Sequence, residues 1–205
     1  MRANAFEKPL KSREESKMSD SGDRDDGVKH PTAENWLDPD ETGRGFGELN
    51  LATGEHRAAS GRGWTEQFLA VELDATVPTE IRDMWEVARG VALYGWFYYP
   101  LYAIAEHQLR RVADAAVLHR YRQAGGPPRS KRDAEGEVRW PALQRRVEWL
   151  ISSGVISPEK RHRWDTMREL RNETTHASIR HLVMPLDVLR LLDLLAPEID
   201  ALFAA

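Results

Sequence analysis

The chain contains no cysteine, which excludes disulfides, thiol nucleophiles and cysteine-ligated zinc or iron–sulfur centres together. It also has no apolar run of membrane-spanning length. The longest candidate, Gly90 to Ala105, is shorter than the roughly 20 residues a span requires. That run contains Gly95 and Pro100 and is bounded by Arg89 and Glu106, so a buried core helix is expected there, with no membrane contact. The amino-terminal stretch is charged and lacks an apolar leader core, so a secretory signal is not expected and a cytoplasmic location is. Net basic charge is missing too. The formal charge of −4 and a pI near 6.0 mean that overall charge does not mark a nucleic-acid binder.

With 205 residues, 41% of them hydrophobic, the chain can build one full core and carry an appendage. Residues 1–44 are rich in Asp, Glu, Lys, Ser and Gly, with scattered Phe6, Leu10, Trp36 and Leu37. Such a segment buries too little to offset its ordering entropy, so a disordered polar arm is expected. Residues 45–77 read as an extended arm or weak hairpin, with Phe46, Leu49 and Leu51 near a turn-like Ala-Thr-Gly.

From residue 78 the pattern is helical to the end. Pro78 and Thr79, followed by Glu80 and Asp83, suit a helix start. Ile81, Met84, Trp85, Ala88, Val91 and Ala92 then recur at helical spacing. Pro100 breaks this helix and restarts it. The second helix, running to about Gln123, carries Leu101, Ile104, Ala105, Leu109, Val112, Ala116 and Val117 on its apolar stripe, with Arg110, Arg111, Arg120 and Arg122 expected outside. Gly125-Gly-Pro-Pro128 ends it, and Pro141 begins a third helix that Gly154 stops. Ser157 as N-cap with Pro158 at the first helical position starts a fourth, with Trp164, Met167 and Leu170 inward. Pro185 to Phe203 forms the last, apolar on Leu186, Leu189, Leu192, Leu195, Ile199 and Leu202. The fold class expected is all-α.

The fourth helix carries the chemistry in Arg168-Glu-Leu-Arg171-Asn172-Glu-Thr-Thr-His176-Ala-Ser178. Asn172 and His176, four apart, share a helical face, so the amide can orient the imidazole. Histidine titrates near neutrality and suits proton transfer. Arg171 and His176 are about 140° apart around a helix axis, so one copy does not readily clasp a phosphate. Two copies across a two-fold axis bring two of each residue together. From Glu106 to Arg180 there are 16 Lys and Arg against 10 Asp and Glu, a local excess of +6 that leaves −10 elsewhere. An electrostatic footprint for phosphate would coincide with the motif in this way, although ordinary variation on a solvated surface gives the same count.

Arg171-Asn172-x-x-x-His176, late in a helix and downstream of a long helix that holds Glu106, resembles the Arg-x(4 to 6)-His motif of HEPN (higher eukaryotes and prokaryotes nucleotide-binding) domains, over roughly residues 78–205. The resemblance implies an up-and-down bundle of about four to five helices. It also implies a homodimer formed through the motif helix and, in many members, a metal-independent endoribonuclease that serves as a toxin or defence effector. Other members are non-catalytic. On this resemblance Arg171, Asn172, His176 and Glu106 are the catalytic set, Arg168 and Arg180 hold the RNA backbone, and no cofactor or metal takes part. An antitoxin or other protein is an expected partner. Some HEPN toxins carry a tyrosine two residues after the motif histidine, where a partner nucleotidyltransferase modifies it. Here that position is Ser178, so that mode of neutralisation is not supported.

Two alternatives use the same residues. A non-catalytic dimerisation or binding module would turn Arg171, Asn172 and Glu106 into an internal polar network. His176, near a helix C-terminus, would then be a cap favoured by the dipole. Glu173-x-x-His176 also matches half of a di-iron carboxylate site, but that site needs a second such pair, which the chain lacks.

Overall fold

The computed structural model describes residues 29–44, 47–49, 53–54, 56–58, 60–129, 138–167 and 183–204. In chain order these form α1 (Glu41–Arg44), β1 (Gly47–Leu49), β2 (His56–Ala58), α2 (Gly61–Leu69), α3 (Thr79–Tyr94), α4 (Leu101–Gln123) and α5 (Leu143–Ser152). A 3₁₀ turn, Pro158–Lys160, leads into α6 (described over 161–167), and α7 (Pro185–Phe203) follows. The described residues are predominantly helical. The two strands form one short antiparallel pair, with Glu48 opposite Arg57.

α4 is the central element, packing against α3, α5 and α7. Its residues explain why. Tyr102, Ala105, Leu109, Val112 and Ala116 are buried along one line, and Arg110, Ala113, Val117 and Tyr121 along another. An apolar surface that wide needs neighbours on more than one side. α3 supplies Ile81, Trp85, Ala88 and Ala92, and α7 supplies Val188, Leu192, Leu195 and Ile199. Two positions expected on apolar stripes stay in solvent: Ile104 and Leu186 are about half exposed. The face that packs is set by the partner helix, and it lies slightly to one side of the one that hydrophobicity alone suggests.

The α3–α4 corner is tight because Gly95 lies against a ring. A Cβ at Gly95 would come within 2.6 Å of Tyr102 Cζ, well inside van der Waals contact. At the other end of the bundle Gly154 adopts φ 77°, the left-handed conformation that stops α5 and is disfavoured for other residues. The apolar run Gly90 to Ala105 is thus divided between α3, the corner and α4. No helix among the described residues is long and apolar enough to cross a membrane.

The expected arm and hairpin differ from the structure in two places. Residues 29–44, expected to be disordered, run along the α3–α4 corner. Asp40 is buried, its Oδ2 accepts the Tyr99 N–H at 2.8 Å, and its own N–H donates to Trp96 O at 2.9 Å. Lys29 Nζ donates to Phe97 O at 2.9 Å and to Asp38 O at 2.6 Å. Backbone groups at the corner, invisible to a composition argument, supply partners for these charges. Residues 61–69, expected to be extended, form α2. Ser60 caps it by accepting the Gly63 N–H at 3.0 Å, and Phe68 is fully buried. Trp64 donates its indole N–H to Tyr102 Oη at 2.8 Å. Burial pushes the Tyr102 phenol well above its ordinary range, with the Trp64 hydrogen bond acting against it, so it remains a neutral acceptor.

Candidate functional site

The segment that leads to the motif is rooted in the core. Ile156 is buried after the Gly154 turn, and Trp164 and Met167 are buried on α6. Ser157 occupies the N-cap position ahead of Pro158, but its side chain makes no cap hydrogen bond and the first turn is 3₁₀, a departure from the expected Ser-Pro α-helix start. Instead a carboxylate from α7 holds this stretch. Glu198 is almost completely buried and pairs through Oε1 with Arg163. Lys160 Nζ lies 3.1 Å from Oε2, at ion-pair distance but off the direction of a good hydrogen bond. Both cations reach in from half-exposed positions, stems at the surface and charged heads turned inward.

Of the residues singled out in the sequence, Glu106 is described. Arg168, Arg171, Asn172, His176 and Arg180 lie outside the described residues, as does Leu170. Glu106 sits on α4 with its side chain 13% exposed and pairs through Oε1 with Arg110, one turn further on. Its described partner is therefore a cation of its own helix. Arg110, expected outside the stripe, is buried. Neutralisation by Glu106 four residues away makes that burial tolerable. Arg111 and Arg122 are exposed as expected, and Arg120 is half-buried.

Arg110 borders a small cavity of about 10 Å³ together with Ala113, Leu143, Trp164, Met167 and Leu195, which is space for about one water molecule. The Nε and Nη1 groups of Arg110 make no hydrogen bond among the described residues. Three helices and the root of the motif segment meet here around a guanidinium with unused donors. A second cross-helix tie lies nearby, where buried Arg146 of α5 donates to Asp114 Oδ1 at 2.8 Å and to Asp114 O at 3.1 Å. Among the described residues no group of three or more His, Asp or Glu is placed to hold a metal ion. Described side chains near the root thus anchor and orient residues 160–167.

Sequence reasoning missed Glu198, Arg110 and Arg146 as buried charges, yet the first and last of these left a signal. Glu198 falls in step with Leu191, Leu195 and Leu202, and Arg146 with Leu143, Val147 and Leu150, so each interrupts an apolar face and requires a partner. Comparison with protein-family models, with curated proteins and with solved structures gives no match for this chain.

Proposed function

We propose that this chain is a metal-independent endoribonuclease of the HEPN type, working as a homodimer whose motif helices face each other. The observation that carries the reading is the combination of the Arg171-Asn172-x-x-x-His176 spacing with the rooting of the helix that runs toward it. Trp164, Met167 and the Glu198 ion pairs hold residues 160–167 against α4 and α7. Arg171 follows Met167 by four positions, one turn of helical spacing. The local basic excess between Glu106 and Arg180 adds attraction for a phosphate backbone.

In this reading His176 takes the proton from a ribose 2′-hydroxyl, and the 2′-oxygen attacks the adjacent phosphorus. Arg171 stabilises the charge that grows on the phosphorane oxygens. The P–O5′ bond breaks, the leaving 5′-oxygen takes up a proton, and the products are a 2′,3′-cyclic phosphate and a 5′-hydroxyl. Asn172 orients His176, while Arg168 and Arg180 hold flanking phosphates. A role as toxin or defence effector, restrained by a protein partner, follows from the family resemblance.

A second reading is favoured by one specific observation. The Glu106 carboxylate is engaged by Arg110 within α4, a structural role that a non-catalytic dimerisation or binding module would also give it. Labelled single-stranded RNA incubated with the purified protein in chelator decides between the two. Cyclic-phosphate ends, abolished by His176→Ala and by Arg171→Ala with the dimer intact, are the expected outcome. Intact RNA with the unaltered protein, over a range of single-stranded sequences, would leave the binding module as the function.

A further inference from the structure

We infer that Glu198 is a positioning residue for the proposed reaction: from inside the core it fixes both the seat and the rotation of the helix that leads to Arg171 and His176. The catalytic part of this inference rests on the ribonuclease reading above; the anchoring part does not.

Position in the fold makes the case. Glu198 occupies the buried face of α7, and its side chain is 1% exposed. A carboxylate there is costly unless cations meet it, and an apolar residue of similar size would pack at least as well. The cations that meet it, Lys160 and Arg163, belong to one short stretch at the start of the segment leading to the motif. Each carboxylate oxygen takes one of them. A leucine at this place could seat the stretch against α7 but would not set its angle about its own axis. The hydrogen bond from Arg163 to Oε1 is directional, and the Lys160 ammonium held at ion-pair distance from Oε2 of the same planar group adds a second fixed point, so the two together set it. The charged residues packed around α7 and α4 elsewhere have other partners, since Arg110 pairs with Glu106 and Arg146 with Asp114. The Glu198 cluster is therefore a separate device, its cations five and eight residues ahead of the motif's flanking Arg168 in sequence. Catalysis by a paired base and guanidinium depends steeply on angle and distance, so a root that can rotate lowers turnover before it lowers binding.

The test uses the full-length protein and the isosteric variant Glu198→Gln. Backbone amides of residues 161–167 are expected to exchange with solvent deuterium faster, on the order of tenfold, while amides at the centre of α4 keep their protection. RNA cleavage should show kcat reduced on the order of tenfold at an unchanged KM. Arg163→Gln should reproduce both effects, and Glu198→Gln combined with Arg163→Gln should be no worse than either alone, as residues acting through one contact behave. If Glu198→Gln does not fold, Lys160→Gln with Arg163→Gln alters the half-exposed partners and asks the same question. Unchanged exchange over 161–167, or faster exchange spread equally over α4 and α7, overturns the inference. So does a raised KM with kcat intact. If the unaltered protein cleaves no RNA, the ribonuclease reading fails, and the exchange comparison still decides whether Glu198 anchors the helix.

Discussion

At the α3–α4 corner, charged side chains are satisfied by the backbone, whereas around the α6 root they are satisfied by one another. Asp40 accepts the Tyr99 amide at 2.8 Å, and Lys29 donates to the Phe97 carbonyl at 2.9 Å. Near the root the ties are Glu198 with Arg163 and Lys160, and Arg146 with Asp114. A backbone partner fixes the path of the chain whatever side chains surround it. An ion pair ties two side chains, so each depends on the other's presence and orientation. The corner is accordingly built for a fixed shape, reinforced by the edge-on contact of Tyr99 with Tyr102 at 5.5 Å. The root is built for a specified orientation of one helix.

The largest expected effect lies in the packing of α3, on which the corner is built. Trp85 is fully buried, with its indole N–H directed at Val71 O at 3.3 Å. Trp85→Ala should cost about 3–5 kcal/mol of stability in urea denaturation. A loss below about 1 kcal/mol would show that α3 is not held by packing. A smaller loss, about 2–3 kcal/mol, is expected for Arg146→Ala, which removes a buried guanidinium from Asp114. Part of that loss should vanish when Asp114→Ala is added, because the pair acts as one unit. Strict additivity in this double-mutant cycle would remove the distinction between the two ends.

The smallest effect concerns a carboxylate on α7 with no cation against it among the described residues. Asp200, two residues beyond Glu198, accepts the Asp74 N–H at 2.9 Å. Burial raises its pKa, the Asp74 hydrogen bond lowers it in part, and the Asp74 charge raises it again. A carboxyl group raised on folding favours the folded state when protonated. Its contribution is complete below the unfolded value and is lost as pH rises through the folded one. Asp200→Asn carries no charge at any pH and keeps an acceptor oxygen. The variant should match the unaltered protein at acid pH and be slightly more stable near neutrality, as thermal melts across the two conditions would show. Lower stability of the variant near neutrality would mean that the ionised oxygen is needed as an acceptor.

Helix limits were the most legible part of the chain. Pro78, Pro100, Gly125, Gly154 and Pro185 stand at or beside the ends of α3, α4, α5 and α7, because each acts on the local backbone. α2 was not legible. Gly61 and Gly63 lower its intrinsic helicity, and it forms because Trp64 and Phe68 find Tyr102 and neighbouring rings. The motif of Arg171, Asn172 and His176 was legible as a spacing, with its residues outside those described. What surrounds its root was not, since Arg110 was expected among the exposed arginines of α4. A second buried line on that helix has meaning only once α5, α6 and α7 cover it.

Residue order alone settled what depends on neighbours in the chain: where α3, α4, α5 and α7 start or stop, which faces are apolar, and which residue types can move a proton or hold a phosphate. The folded arrangement settled which charges are buried and with whom, as in Glu198 with Arg163 and Lys160, Arg110 with Glu106, and Asp40 with the Tyr99 amide. Burial is a property of faces that meet across long separations in the chain. A charge is stable there only when the opposing face brings its partner.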